Sequence, residues 1–423
     1  MTMSDTHRAI EAVWRIESAR LIAGLTRIVR DVGVAEDLAQ DALVIALERW
    51  PQTGIPTNPG AWLMATAKHR AIDRLRRIKL SERKHEELGR EFEAQQESAV
   101  VDLDAALDDV GDDLLRLIFI ACHPVLSPEA RVALTLRLLG GLETTEIARA
   151  FLVPEPTVAQ RIVRAKRTLR EARVPFEVPR GAELAARLSS VLEVIYLVFN
   201  EGYAATAGDD WIRPALCEEA LRLGRILAEL VPQQPEVHGL VALMELQASR
   251  LGARIGPSGE PVLLLDQDRA RWDQLLIGRG LAALERAERL GGALGPYALQ
   301  AAIAACHARA RTPEQTDWAA IAALYDALAQ VAPSPVVDLN RAVALAMAFG
   351  PAAGLEVVDT LTSEPSLQGY HLLPSVRGDL LAKLGRLDEA RAEFERAAAL
   401  TRNVRERELL LERARAAEAG RPS

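Results

Sequence analysis

Apolar residues recur at helical spacing along nearly all of this 423-residue chain, and proline and glycine interrupt them at short intervals. Ile10, Val13, Trp14, Leu21, Leu25 and Ile28 repeat at three, four and seven. Asp31-Val32-Gly33 breaks that pattern, and Ala35-Glu36-Asp37 starts a second helix with acids where the helix dipole favours them. Its stripe is Leu38, Ala42, Ile45 and Ala46, and Trp50-Pro51 is its expected stop. From Gly181 onward helical stripes follow one another. Breaks fall at Gly208, Pro232, Gly256–Pro261, Gly291-Gly292, Pro313, Pro333 and Pro335, Gly350-Pro351, Pro365 and Gly385. Aromatics are only 4 %, and Ala, Leu and Arg dominate, which favours helix over strand. The expected fold class is all-α. The length exceeds one compact core and points to two or three domains.

The net charge is -8, so any contact with nucleic acid has to come from local basic patches. Residues 86–113 are strongly acidic and poor in apolar residues before Leu103, as expected of a flexible linker. Cys122, Cys217 and Cys306 have no CxxC spacing, and His238, His307 and His371 are isolated, so neither a metal site nor a disulfide framework is expected. GxSxG, P-loop and HExxH motifs are absent, as is GxGxxG after a strand; neither an enzyme nor a cofactor is expected. With no run of eighteen apolar residues, the expectation is a soluble, cytoplasmic chain without a membrane partner.

Thr57–Arg77 reads as a helix entered through Pro59. Trp62, Ala65, Ala67, Ile72 and Leu75 lie towards one side, and Lys68, Arg70, Arg74 and Arg77 towards the other, with His69 and Arg76 at the margins. Lys79, Arg83 and Lys84 extend the basic run. Such a density suits phosphate contacts; the competing reading is a solvated helix face. A second basic helix closes a helix-turn-helix pattern. Ser127-Pro128-Glu129 starts its first helix and Gly140-Gly141 ends it. Thr144–Phe151 is the short second helix, Leu152-Val153-Pro154 the turn, and the third runs from Glu155 to Arg173. Val158, Ile162, Ala165 and Leu169 form its buried stripe. Gln160, Arg161, Arg164, Arg167 and Arg170 face outward. Thr157, Gln160, Arg161 and Arg164 are residue types that read base edges or phosphates. A plain helical hairpin with a basic exterior is the competing reading.

Residues 8–173 resemble extracytoplasmic-function (ECF) sigma-70 factors. Val34–Ala42, VAEDLAQDA, resembles the family's core-polymerase-binding helix. Pro59-Gly60-Ala61-Trp62-Leu63 with Ala71-Ile72-Asp73-Arg74-Leu75-Arg76-Arg77 resembles the -10 recognition and melting region, and Thr145–Arg170 the -35 helix-turn-helix. The resemblance implies partners in core RNA polymerase and promoter DNA. It assigns Asp37, Leu38, Gln40 and Asp41 to polymerase; His69, Arg70, Arg74, Arg76 and Arg77, with Lys68 on the same face, to the -10 element; and Thr157, Gln160, Arg161, Arg164 and Lys166 to the -35 element. The family commonly carries Asn at the position of His69. The implied organisation is sigma region 2 in 1–85, an acidic linker in 86–113, sigma region 4 in 114–178 and a tetratricopeptide-like domain in 181–423.

The C-terminal segments Asn200–Leu223, Leu263–Asp273 and Ser334–Leu345 resemble the ECF subgroup with a large tetratricopeptide-like extension, which implies modulation of activity by that domain. Residues 344–352 align with 379–387 at an offset of 35, and Leu380–Leu400 has the small-residue and aromatic placement of a repeat helix pair. Polar and aromatic residues between the stripes, among them Tyr203, Arg269, Trp272 and Trp318, either fix helix register or line a concave groove for a protein or small-molecule ligand. Two other functions remain open from the residues alone. One is a helix-turn-helix regulator with a helical sensing domain that acts without replacing the sigma factor. The other is a scaffold with an incidental basic face.

Overall fold

The computed structural model describes residues 3–87, 110–151, 153–257, 259–418 and 420. It divides into two compact units, Met1–Val194 and Ile195–Ser423. Eighteen α-helices, five short 3-10 helices and one two-stranded ladder account for the regular structure of the described residues. No helix among them is long and apolar enough to cross a membrane.

The first unit begins with α1 (Met3–Val29), α2 (Val32–Thr53) and α3 (Pro59–Glu87). Arg30, at φ 54°, turns the chain out of α1, and Asp31 caps α2 by accepting from the Val34 amide at 2.9 Å. The expected stop at Trp50-Pro51 is passed: Pro51 lies inside α2, and the helix ends at Gly54, whose amide bonds to Trp50 O. Pro51 removes one amide donor, to the carbonyl of Leu47, and the helix ends within the same turn. Asn58 caps α3 by accepting from the Ala61 amide at 3.0 Å, one residue ahead of Pro59. Helix α4 (Val110–Ala121) follows, and α1 packs against α2, α3 and α4. Residues 88–109 of the expected linker lie outside the described residues. Its end, 110–113, forms the first turn of α4, because Asp113 is a buried ion paired with Arg116 at 2.6 Å and Arg27 at 3.3 Å.

Helices α5 (Pro128–Leu138), α6 (Thr144–Phe151) and α7 (Glu155–Glu171) form the helix-turn-helix, with α5 and α6 both packed on α7. Ser127 caps α5, and Val158, Ile162, Ala165 and Leu169 are the buried stripe of α7. Helix α8 (Gly181–Tyr203) closes the first unit and opens the second.

The second unit stacks α9 (Pro214–Leu230), α10 (Pro235–Ala248), α11 (Gln274–Arg289), α12 (Pro296–Arg309), α13 (Trp318–Val331), α14 (Pro335–Phe349), α15 (Pro351–Leu361), α16 (Leu372–Lys383), α17 (Leu387–Leu400) and α18 (Val404–Glu418). Proline occupies the first helical position of α9, α10, α12, α14 and α15, where its missing amide costs nothing. The 35-residue alignment falls on α14–α15 and α16–α17, whose separating turns use Gly350 (φ 101°) and Gly385 (φ 75°). Phe394 of α17 lies beneath Gly378 of α16, where an added Cβ would stand 2.9 Å from the ring.

A parallel ladder joins the two ends of this stack: β1 (Ala207–Gly208) pairs with β2 (Arg402–Asn403). Asn403, 1 % exposed, donates to Ala205 O at 3.0 Å and Asp210 O at 2.8 Å, and accepts from the Glu406 amide at 3.2 Å. Asn403→Ala strips the donor from buried carbonyls and should destabilise the second unit by roughly 2–4 kcal/mol in urea unfolding.

Candidate nucleic-acid interface

On α3 the buried line is Leu63, Ala67 and Ala71, four residues apart. This places His69, Arg70, Arg74, Arg76 and Arg77 in solvent and leaves Lys68 half-buried. Ala65, expected on the apolar side, is exposed, whereas Trp62 is half-buried edge-on to Trp50, their centroids 5.3 Å apart. A small residue can occupy the solvent side without penalty, and the indole packs as core structure does. The side chains of Lys79, Arg83 and Lys84 lie outside those described.

Helix α2 presents Asp37 and Asp41 on one exposed edge, at i,i+4. Arg70 Nη1 meets Asp41 Oδ2 at 2.7 Å, so the acidic edge of α2 and the basic face of α3 adjoin. Gln40 is half-buried and donates to Glu36 Oε1 at 2.9 Å. Leu38 does not join this surface. It is 4 % exposed because it shares the inward face with Ala35, Ala39 and Ala42. Val44 and Leu47 are exposed at 51 % and 37 % and extend the face in apolar character. They escaped notice in the sequence because they sit between members of the buried stripe.

Helix α7 exposes Gln160 and Arg164, with Thr157 and Arg161 half-exposed. Val163, 65 % exposed, stands between them and was not singled out from the sequence. It falls off the Val158–Ile162–Ala165–Leu169 stripe, which is the signal that could have found it. An exposed methyl pair beside Gln and Arg matches the mixed donor, acceptor and methyl pattern of base edges in a major groove.

Lys166 faces elsewhere. It pairs with Glu36, a carboxylate 4 % exposed that also takes Arg137 Nε at 2.7 Å. One turn on, Arg170 pairs with Asp31, and Arg15 reaches Glu146 at 3.1 Å. These ion pairs hold α7, α5 and α6 to α1 and α2 inside the first unit. The buried Glu36 charge is tolerated because two cations and the Gln40 amide converge on it. Among the described residues no group of three or more His, Cys, Asp or Glu could hold a metal ion.

Burial alone would raise the Asp31 carboxyl, but the Arg170 hydrogen bond and charge, with the Val34 and Gly33 amides, outweigh it and hold it below its usual 3.8. A carboxyl depressed in the folded state contributes its full stability above the unfolded value and loses it as pH falls through the folded one. Asp31→Asn keeps the helix cap but removes the charge. Its stability deficit should therefore be full at neutral pH, begin to shrink only below about pH 4 and vanish once the pH passes below the depressed folded value, read as converging urea midpoints.

Sequence comparison bears on these same elements. Residues 16–80 match the family model for sigma-70 region 2, residues 116–169 that for sigma-70 region 4, and residues 187–288 a family of unknown function (DUF6596). An uncharacterized protein of Rhizobium meliloti is 45 % identical over 91 % of this chain and 90 % of its own length. The ECF RNA polymerase sigma factor SigK of Mycobacterium ulcerans is 30 % identical over 36 % of this chain and 78 % of its own. The probable ECF RNA polymerase sigma factor SigI of Mycobacterium tuberculosis is 28 % identical over 41 % of this chain, which spans 58 % of that relative's length. No solved structure matches. The chain belongs to the ECF sigma-70 family of RNA polymerase sigma factors and carries a helical C-terminal extension.

Proposed function

We propose that this chain docks on core RNA polymerase, engages the -35 and -10 promoter elements and starts transcription, with its C-terminal unit modulating that activity. The observation that carries this reading is the coincidence of the two sigma-region matches with two exposed basic faces, on α3 and α7, and an acidic helix edge on α2. The edge formed by Asp37 and Asp41, with Val44 and Leu47 beside it, offers polymerase a mixed acidic and apolar surface. His69, Arg70, Arg74, Arg76 and Arg77, with Lys68, meet the -10 DNA; Thr157, Gln160, Arg161, Val163 and Arg164 meet the -35 element. Lys166 contributes to DNA binding only after leaving Glu36. The work is binding and strand opening, with no group transfer, so the residues act through charge and shape.

Transcription from promoter templates with added core polymerase tests this reading. A folded chain that binds core polymerase yet stimulates no promoter would overturn it. Asp41→Ala should weaken polymerase binding while leaving the affinity for an isolated -35 duplex unchanged. Arg161→Ala should lose about 1–3 kcal/mol of discrimination between cognate and altered -35 sequences in duplex binding; an equal loss on every sequence would reduce Arg161 to a phosphate contact.

A further inference from the structure

The chain has five tyrosines, and all of them lie in or at the edge of the second unit's helical stack: Tyr196, Tyr203, Tyr297, Tyr325 and Tyr370. They come from α8, α12, α13 and the turn before α16. Tyr196 packs edge-on to Tyr297 at 5.5 Å and donates to Gln300 Oε1 at 3.1 Å. Both pack with Trp272 on one core cluster, and Tyr325 packs on the cluster between α12 and α13. All five remain half-exposed, although burial is the first cause raising the hydroxyls of Tyr196, Tyr325 and Tyr370. The β1–β2 ladder joins the ends of the stack, and stacked helix pairs tend to present an inner, concave face.

Three arginines stand on this face in a row interleaved with rings. Arg254 lies 3.9 Å over the Tyr203 ring, Arg250 lies 5.8 Å from Tyr203 and 5.7 Å from Trp272, and Arg269 lies 4.8 Å from Trp272. None of the three forms an ion pair with a carboxylate among the described residues. Elsewhere in the same unit Arg225 is matched with Glu245, and Arg377 with both Asp359 and Glu393, all at 2.8 Å, whereas Arg286 and Arg407 bond singly to carbonyls or a ring nitrogen away from any such row. Burial lowers the Arg254 and Arg269 guanidinium pKa values, and the charge of Arg250 lowers them further. Burial, with Arg250 and Arg269, pushes His307 down to about 3, so it stays neutral beside them. The Glu314 carboxylate offsets part of the Arg269 charge, yet three guanidinium groups gathered with no carboxylate in contact among the described residues are characteristic of sites that receive an opposite charge.

The donors are not exhausted. Arg269 gives its hydrogen bonds to His307 O, Ala310 O and Thr316 Oγ1. Arg250 uses only Nη2, towards Tyr203 Oη at 2.7 Å and Gln247 Oε1 at 3.3 Å; its Nη1 and Nε have no acceptor among the described residues. Arg254 likewise uses only Nη2, towards Tyr203 O at 3.0 Å. Arg254 Nε is buried without an acceptor, which leaves Arg250 Nη1 and Nε and Arg254 Nη1 as donors for the oxygens of a phosphate, and partly exposed tyrosine rings suit a planar partner.

We propose that the inner face of the second unit binds a small phosphorylated ligand with a planar ring, a nucleotide by chemical class, its phosphate on Arg250 and Arg254 and its ring among Tyr196, Tyr297 and Tyr325. The site goes beyond the promoter-binding function and stands independently of it, because the residues involved are remote in sequence from α2, α3 and α7.

Titration calorimetry on the full chain, without polymerase or DNA, tests the site with ADP, adenosine and inorganic pyrophosphate as probes. The expected result is saturable one-to-one binding of ADP, with adenosine and pyrophosphate each weaker. Arg250→Ala should reduce ADP affinity about tenfold or more, the loss of one charge-assisted contact. Arg250→Lys, which keeps the charge without the fork, should fall between them. Arg161→Ala should bind ADP as the parent does, which separates this site from the basic face of α7. Far-UV circular dichroism and urea unfolding verify that each variant is folded. Absence of ADP binding to the folded chain, or full affinity in both Arg250 variants, would overturn the proposal. Equal binding of pyrophosphate would remove the ring from it, and equal binding of adenosine would remove the phosphate; either result rejects the nucleotide assignment.

Discussion

Close approach of helices over alanine and glycine is the constraint on which the rest of this molecule depends. Ala35, Ala39, Ala42, Ala46, Ala67 and Ala71 are completely buried where α1, α2 and α3 meet, and Ala298, Ala301 and Ala305 do the same on α12. A Cβ on Gly239 would stand 2.8 Å from the Ala298 amide nitrogen, so α10 and α12 touch nearly backbone to backbone. With aromatics at 4 %, few large side chains are available to fill wider gaps. Small residues bring the helices together instead, and dispersion between closely packed backbones replaces the contacts that rings supply in other cores.

That packing leaves charge to define the surfaces. Where two small-residue faces meet, ions are admitted only in matched sets, as with Glu36 between Arg137 and Lys166 or Asp113 between Arg27 and Arg116. On the outer faces of α3 and α7 the cations are largely left to solvent, the arrangement through which phosphates are met. Arg250, Arg254 and Arg269 of the second unit are the third case: cations partly enclosed among rings, with no carboxylate in contact among the described residues. The same residue type thus stands in matched ion pairs, on open solvent faces and over aromatic rings.

Period and punctuation determined the elements. Ser127-Pro128, Asn58-Pro59 and Gly350-Pro351 each mark a helix start, and the α7 stripe of Val158, Ile162, Ala165 and Leu169 was legible residue by residue, because caps and amphipathic spacing are local properties. The exposure of the basic residues on α3 and α7 was legible for the same reason. The direction of Lys166 was not, since it depends on Glu36, 130 positions away, and neither was the inward turn of Leu38, which depends on which neighbours cover α2. Nor could spacing reveal that Tyr196 meets Tyr297 or that Arg250 and Arg254 stand over the Tyr203 ring, because those contacts join residues far apart in the chain. The sequence by itself determined an all-helical chain with two basic faces; only the tertiary structure decided which charges are matched and which are left open, because charge balance is a property of neighbours in space.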